Sequence, residues 1–102
     1  MLSELEYKLS GKLWLYKGKG AWYFLTIPKE ESGQIKFFAN DGLKRGWGSI
    51  KVTATIGKTI WGTSIFPQSK SDTYILPVKA EIRKKEGLQE NDLIDFELDV
   101  LF

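Results

Sequence analysis

Apolar and polar residues alternate along much of the chain. Leu5, Tyr7, Leu9, Leu13 and Leu15 share one parity, and Glu6, Lys8, Ser10 and Lys12 take the other. Period two predicts one long half-buried strand, with Gly11 as a bend or bulge. Trp14 and Tyr16 break the polar face near its end. Lys17 to Gly20 predicts a turn. Ala21 to Ile27 predicts a second strand, ended by Pro28. Lys29 to Ala39 reads as a short helix with acids in its first turn and a face of Ile35 and Phe38, with Phe37 beside them. Asn40-Asp41-Gly42 is a turn signal. Trp47 to Ile56 alternates cleanly, with Gly48, Ile50, Val52, Ala54 and Ile56 on one side. Gly57-Lys58 suits a type II′ hairpin turn.

Thr59 to Phe66 returns as the partner strand, Pro67 to Asp72 reads as a loop, and Thr73 to Val78 as another strand. Lys79 to Glu86 predicts a second short helix, with Lys84 and Lys85 at its cation-favouring end. Gly87 fits the left-handed cap position, and Leu88 its hydrophobic contact. Asn91-Asp92 turns the chain into a last amphipathic strand, where Ile94, Phe96, Leu98 and Val100 alternate with Asp95, Glu97 and Asp99. Six strands and two short helices without long βαβ crossovers predict a mostly-β, closed, antiparallel-rich barrel. Tyr-Phe-Leu-Thr-Ile-Pro and Tyr-Ile-Leu-Pro each precede a predicted helix, which hints at a strand-Pro-helix unit used twice.

A length of 102 residues suits one domain over 1–102. The chain has no Cys and no His. That excludes Cys/His zinc sites, thiol nucleophiles and His-based catalysis, and no cofactor or metal is implied. The N-terminus lacks a signal-peptide apolar core, and no apolar run approaches the roughly 20 residues of a membrane span. The expectation is a cytoplasmic protein with no membrane partner.

The net charge of +2 is unevenly placed. Residues 1–85 hold all 15 Lys and Arg, and residues 86–102 hold acids and no base. The acidic end reads as the solvated face of the last strand, lying beside basic neighbours. The alternative is a basic face for an anionic partner.

Tempting motifs fail on context. Gly57-Lys58-Thr59 resembles the end of a phosphate-binding loop, but Val52 stands where the earlier glycine belongs. Gly18-Lys19-Gly20 would need a third glycine where Tyr23 stands. Asp95, Glu97 and Asp99 line one strand face rather than a cleft. Thr63 and Ser64 could act as nucleophiles only with a lysine as base. Lys44-Arg45-Gly46-Trp47-Gly48 carries more. A dibasic pair beside an aromatic could clamp a phosphate and stack a base, or simply anchor a glycine-rich strand entry. Arg83-Lys84-Lys85 is a second basic cluster. Four tryptophans (14, 22, 47 and 61) exceed the need of a small core, which places one or two at a cavity mouth or partner surface. The candidate ligand- or nucleic-acid-binding residues are therefore Trp22, Lys44, Arg45, Trp47, Ser64, Arg83 and Lys84, with no catalytic residue among them.

Gly20-Ala21-Trp22-Tyr23-Phe24, Ile27-Pro28, Arg45-Gly46-Trp47-Gly48, Thr63-Ser64-Ile65-Phe66-Pro67, Tyr74-Ile75-Leu76-Pro77, Arg83-Lys84 and Asn91-Asp92 follow one another along nearly the whole chain. In that order they resemble a small bacterial family known only as a domain of unknown function, number nineteen-oh-five. The resemblance implies a closed six-stranded Greek-key barrel with two short helices, and no established activity. Asn91 stands where that family usually has Gly. Leu76-Pro77 through Gly87-Leu88 to Asn91-Asp92 is also similar to the DNA-binding swapped-hairpin barrels of transition-state regulators, over about a quarter of the chain. Three functions follow. The first is a non-catalytic barrel that binds a small ligand, a nucleic acid or a protein, as a monomer or weak homodimer. The second is a DNA-binding regulator-like barrel, with Arg83, Lys84 and Lys85 sharing a face with Lys44 and Arg45. The third is a small enzyme without His or Cys chemistry.

Overall fold

The structure is a computed structural model that describes residues 5–18, 20–41, 48–68 and 70–101. Its elements in chain order are β1 (Leu5–Lys12), β2 (Trp14–Gly18), β3 (Gly20–Thr26), α1 (Lys29–Asp41), β4 (Ile50–Ile56), β5 (Thr59–Gln68), β6 (Thr73–Pro77), α2 (Ala80–Glu86) and β7 (Leu93–Val100). All strand pairs are antiparallel, in the order β1-β7-β4-β5-β6-β3-β2. The sheet curls into a half-barrel around one core.

The expected closed six-stranded barrel is therefore corrected to seven strands in an open, curled sheet. The extra strand comes from Leu13. Its side chain is fully buried, its N–H donates to the Asp92 carbonyl at 3.0 Å, and its carbonyl accepts from the Asn91 N–H at 2.7 Å. The anticipated first strand is thus cut into β1, which pairs with β7, and β2, which pairs with β3. Gly11, the expected bend, stays in the ladder opposite Ile94. The two edges of the sheet are consecutive in sequence and converge on that one residue.

Three further differences have local causes. β5 runs through Pro67, which the sequence assigns to a loop. Past Ile65, β5 leaves β4 and pairs with β6, so proline's missing N–H is not needed on the vacated side. Helix α1 continues through Asn40 and Asp41, where the sequence predicts a turn. Its core face is Ser32, Ile35 and Ala39, not Ile35 and Phe38, and Phe37 and Phe38 lie exposed in edge-to-face contact. The core is otherwise the predicted one. Ile50, Val52, Ala54 and Ile56 of β4 and Ile94, Phe96, Leu98 and Val100 of β7 are all buried. The strand expected from Trp47 begins at Ile50, and residues 42–47 lie outside the described residues.

The strand-Pro-helix hint has a geometric counterpart. Ile27 N–H donates to the Tyr74 carbonyl and Val78 N–H to the Tyr23 carbonyl, each at 2.9 Å. These bonds exchange under a two-fold axis through the Leu25–Leu76 pair of the β3–β6 ladder. The same axis exchanges the β2–β3 pairs with the β5–β6 pairs, and the β1–β7 ladder with the β5–β4 ladder. It leaves the β4–β7 ladder facing itself. Side chains obey it too. Ser32 Oγ–H donates to the Ile27 carbonyl at 2.9 Å, and its mate Arg83 donates Nε–H to the Val78 carbonyl at 3.1 Å. The domain is built as two related halves, β1–β4 with α1 and β5–β7 with α2.

Candidate aromatic binding face

On β2 and β3 the outward-facing positions, which should be polar if the face met only water, are Trp14, Tyr16, Trp22 and Phe24. Cross-strand pairing sets Trp14 opposite Phe24 and Tyr16 opposite Trp22. Phe24 is the hub. Its ring lies 5.2 Å from Trp14, 6.3 Å edge-on from Tyr16 and 6.1 Å from Trp22, with the last pair within 8° of parallel. Trp14 is fixed further by its indole N–H, which donates to Thr26 Oγ1 at 2.9 Å. Phe66 and Gln68 of β5 and Ile75 of β6 complete a cleft of about 350 Å³. Trp22 is 50% exposed, Tyr16 49% and Phe66 43%. Among the described residues, no ionisable side chain other than the Tyr16 phenol lines the cleft.

The second half of the domain serves as an internal control. The mates of the Tyr16–Trp22 pair are Gln68 and Thr73, and the mates of Trp14–Phe24 are Phe66 and Ile75. The related slots hold an amide, a buried threonine hydrogen-bonded to Ser71 and a buried isoleucine. Packing alone does not call for Tyr16 and Trp22 in the first half. A large exposed apolar patch on a small domain marks an interaction surface.

Behind this face, the inward-facing Tyr23 carries Arg83, whose guanidinium carbon sits 3.9 Å from the ring centroid. The Tyr23 shelf and the Val78 carbonyl together fix the guanidinium plane. A cation so held keeps its terminal N–H groups for an anion. The mate of Arg83 is the buried Ser32, whose hydroxyl also accepts from the Tyr74 N–H at 2.9 Å. The α1 end is accordingly sealed over a fully buried Tyr74. The seven-residue α2 instead leaves the Tyr23 end under an arginine.

The sequence-derived candidates are scattered. Trp22 lies on the aromatic face. Arg83 stands behind it, and Lys84 is exposed on α2. Ser64 is on the other part of the sheet, opposite Lys51, in a shallow cleft with Thr53, Gly62 and Leu101. Lys44, Arg45 and Trp47 lie outside the described residues, as does the proposed sharing of a face between Lys44, Arg45 and α2. Trp14, Tyr16, Phe24, Phe66 and Gln68 are not among the sequence-derived candidates, although Trp14 and Tyr16 carry the signal by breaking the polar parity.

Elsewhere, the acidic tail forms the outer face of β7. Lys8 lies opposite Glu97, and Ser10 Oγ–H donates to Asp95 Oδ1 at 2.6 Å. Among the described residues no group of three or more carboxylates is placed to hold a metal, and no helix is long and apolar enough to cross a membrane. Burial pushes the Tyr74 hydroxyl pKa up. Burial, aided by the nearby Glu31 carboxylate, does the same for Tyr7, whose hydroxyl donates to Gln34 Oε1 at 2.8 Å.

The architecture and the aromatic cleft describe a curled-sheet, mostly-β domain with a ring-lined outer face. The sequence model of the family described as a domain of unknown function, DUF1905, matches residues 10–98, and the chain belongs to that family. No curated protein matches it.

Proposed function

We propose that this domain is a non-catalytic binding module that takes a flat ring of its ligand onto the outer face of β2 and β3. The observation that carries the reading is the half-exposed Trp22–Tyr16 pair, in slots that the related half fills with Thr73 and Gln68. The cleft has the size and apolar lining of a small-ligand site. Gln68 and the Tyr16 hydroxyl are polar groups available to orient what enters. The lining offers rings and an amide rather than the paired acid, base or nucleophile that catalysis needs.

The test is a ¹H–¹⁵N spectrum of the four tryptophan indoles during titration with adenosine, uridine and, as a non-aromatic control, glucose. The nucleosides are expected to move the Trp22 and Trp14 indole signals and leave Trp61 in place. Equal movement of all four signals, or none at millimolar nucleoside, would remove the aromatic face as the site.

A further inference from the structure

We infer that the ligand of the aromatic face is single-stranded nucleic acid, an inference that rests on the ring-binding reading above. The first observation is the arrangement of rings. Tyr16 and Trp22 are neighbours across the β2–β3 ladder, and Phe66 stands on the other side of the same cleft. Successive exposed rings on a sheet surface offer stacking positions for successive unpaired bases, whatever the sequence of the strand.

The second observation is charge. Val78 N–H bonds the Tyr23 carbonyl, so the next residue, exposed Lys79, lies level with Trp22. Lys70 is exposed in the turn that follows Gln68. Two acids lie nearby: Asp72 faces Lys36 at 3.7 Å, and Glu81 is on α2. The acidic face of Asp95, Glu97 and Asp99 is on β7, which three strands separate from β3. An apolar, ring-lined floor with a cationic border fits bases that stack while their phosphates reach the rim. A saccharide would ask for several hydrogen-bonding side chains in the cleft, whose described lining has, besides its indoles, one amide and one phenol. A proline-rich peptide or a second copy of this chain would have no use for the cationic border. A duplex keeps its base faces stacked inside.

The test uses the intact domain and fluorescent oligo-dT of about ten nucleotides, within the range of known single-strand site sizes. A duplex of equal length and a proline-rich peptide of similar length are run beside it, with sedimentation of the protein alone. The oligonucleotide is expected to quench tryptophan fluorescence and to bind more tightly than the duplex. Two phosphate contacts, one each for Lys70 and Lys79, predict a slope of log affinity against log salt of roughly −1.4, at about −0.7 per contact. Trp22→Ala should weaken binding about tenfold, the lower range of one base–aromatic stack. Lys70→Gln with Lys79→Gln should flatten the slope by about 1.4. Phe66→Ala provides a second ring variant should Trp22→Ala fold poorly. Duplex binding as tight as single-strand binding, a salt-independent affinity, tight binding of the peptide, or self-association through this face would each overturn the inference. Nucleosides that shift Trp22 while the oligonucleotide binds no more tightly than one nucleoside would sink nucleic acid and leave ring binding standing. If neither moves Trp22, both fail.

Discussion

Val52→Asp is expected to lower the melting temperature of the domain by on the order of 20 °C or more. Val52 is 1% exposed, opposite Thr63 on one side and Val100 on the other, in the end pair of the β4–β7 ladder. Its neighbours on the inner face are the apolar side chains of both halves. A carboxylate there finds no partner, and burying it, or protonating it to avoid burying a charge, costs about 4 kcal/mol or more. The total stability of a domain this size is on the order of 5–15 kcal/mol. Lys51→Asp, one residue away on the exposed face, should stay within about 0.5 kcal/mol. Thermal melts of the pair check the assignment. A Val52→Asp variant melting within a degree or two of the parent would mean that the inner face is wrongly assigned.

Gly57→Val should cost about 3 kcal/mol, from two sources. Gly57 opens the β4–β5 hairpin with φ of 59°, while Lys58 is not at positive φ, the pattern of a type II′ turn. A β-branched residue takes such a φ only at a cost of roughly 1–3 kcal/mol. In addition, a Cβ at this position would collide with the Glu86 carboxylate. Glu86 is held over the turn as an acceptor from Thr59 Oγ1 at 2.6 Å and from the Lys58 N–H at 3.3 Å, tying α2 to the hairpin. Displacing it sacrifices those bonds, each worth about 1 kcal/mol. A loss of that size lowers the melting temperature by on the order of 15 °C. In a Glu86→Ala background the collision disappears and the backbone strain remains. Gly57→Val should then cost about 2 kcal/mol less than in the parent, and an unchanged cost would show that Glu86 does not seat on the turn.

The strands were legible because period two survives wherever one face meets the core and the other meets water. That holds for β1, β4 and β7. The break at Leu13 was not legible. It depends on Asn91 and Asp92, remote in sequence, offering a carbonyl and an N–H to a residue that local pattern places in mid-strand. The face of α1 was misjudged for a related reason. Phe38 looks like the core residue by size, but Ser32 displaces it from that role by bonding the ends of β3 and β6 together. The repeat was visible only as two short Tyr-to-Pro runs. Its symmetry lies in which strand pairs with which, and the unequal helix lengths blur it in the sequence. The site was half legible. Trp14 and Tyr16 stood out as apolar residues on a polar parity. That they face Trp22 and Phe24 follows from the β2–β3 register, and Phe66 reaches the same cleft only through the tertiary fold.

The central claim is that the aromatic face exists for binding and not for folding. The most direct measurement is the melting temperature of the Tyr16→Gln, Trp22→Thr variant, which puts into the first half the residue types its mates Gln68 and Thr73 supply in the second. The account predicts a fold retained with a loss of about 1 kcal/mol or less, the range of exposed cross-strand pair exchanges, together with loss of the ring-ligand response. A variant that fails to fold, or melts tens of degrees lower, would show that these rings are part of the packing and would contradict the account.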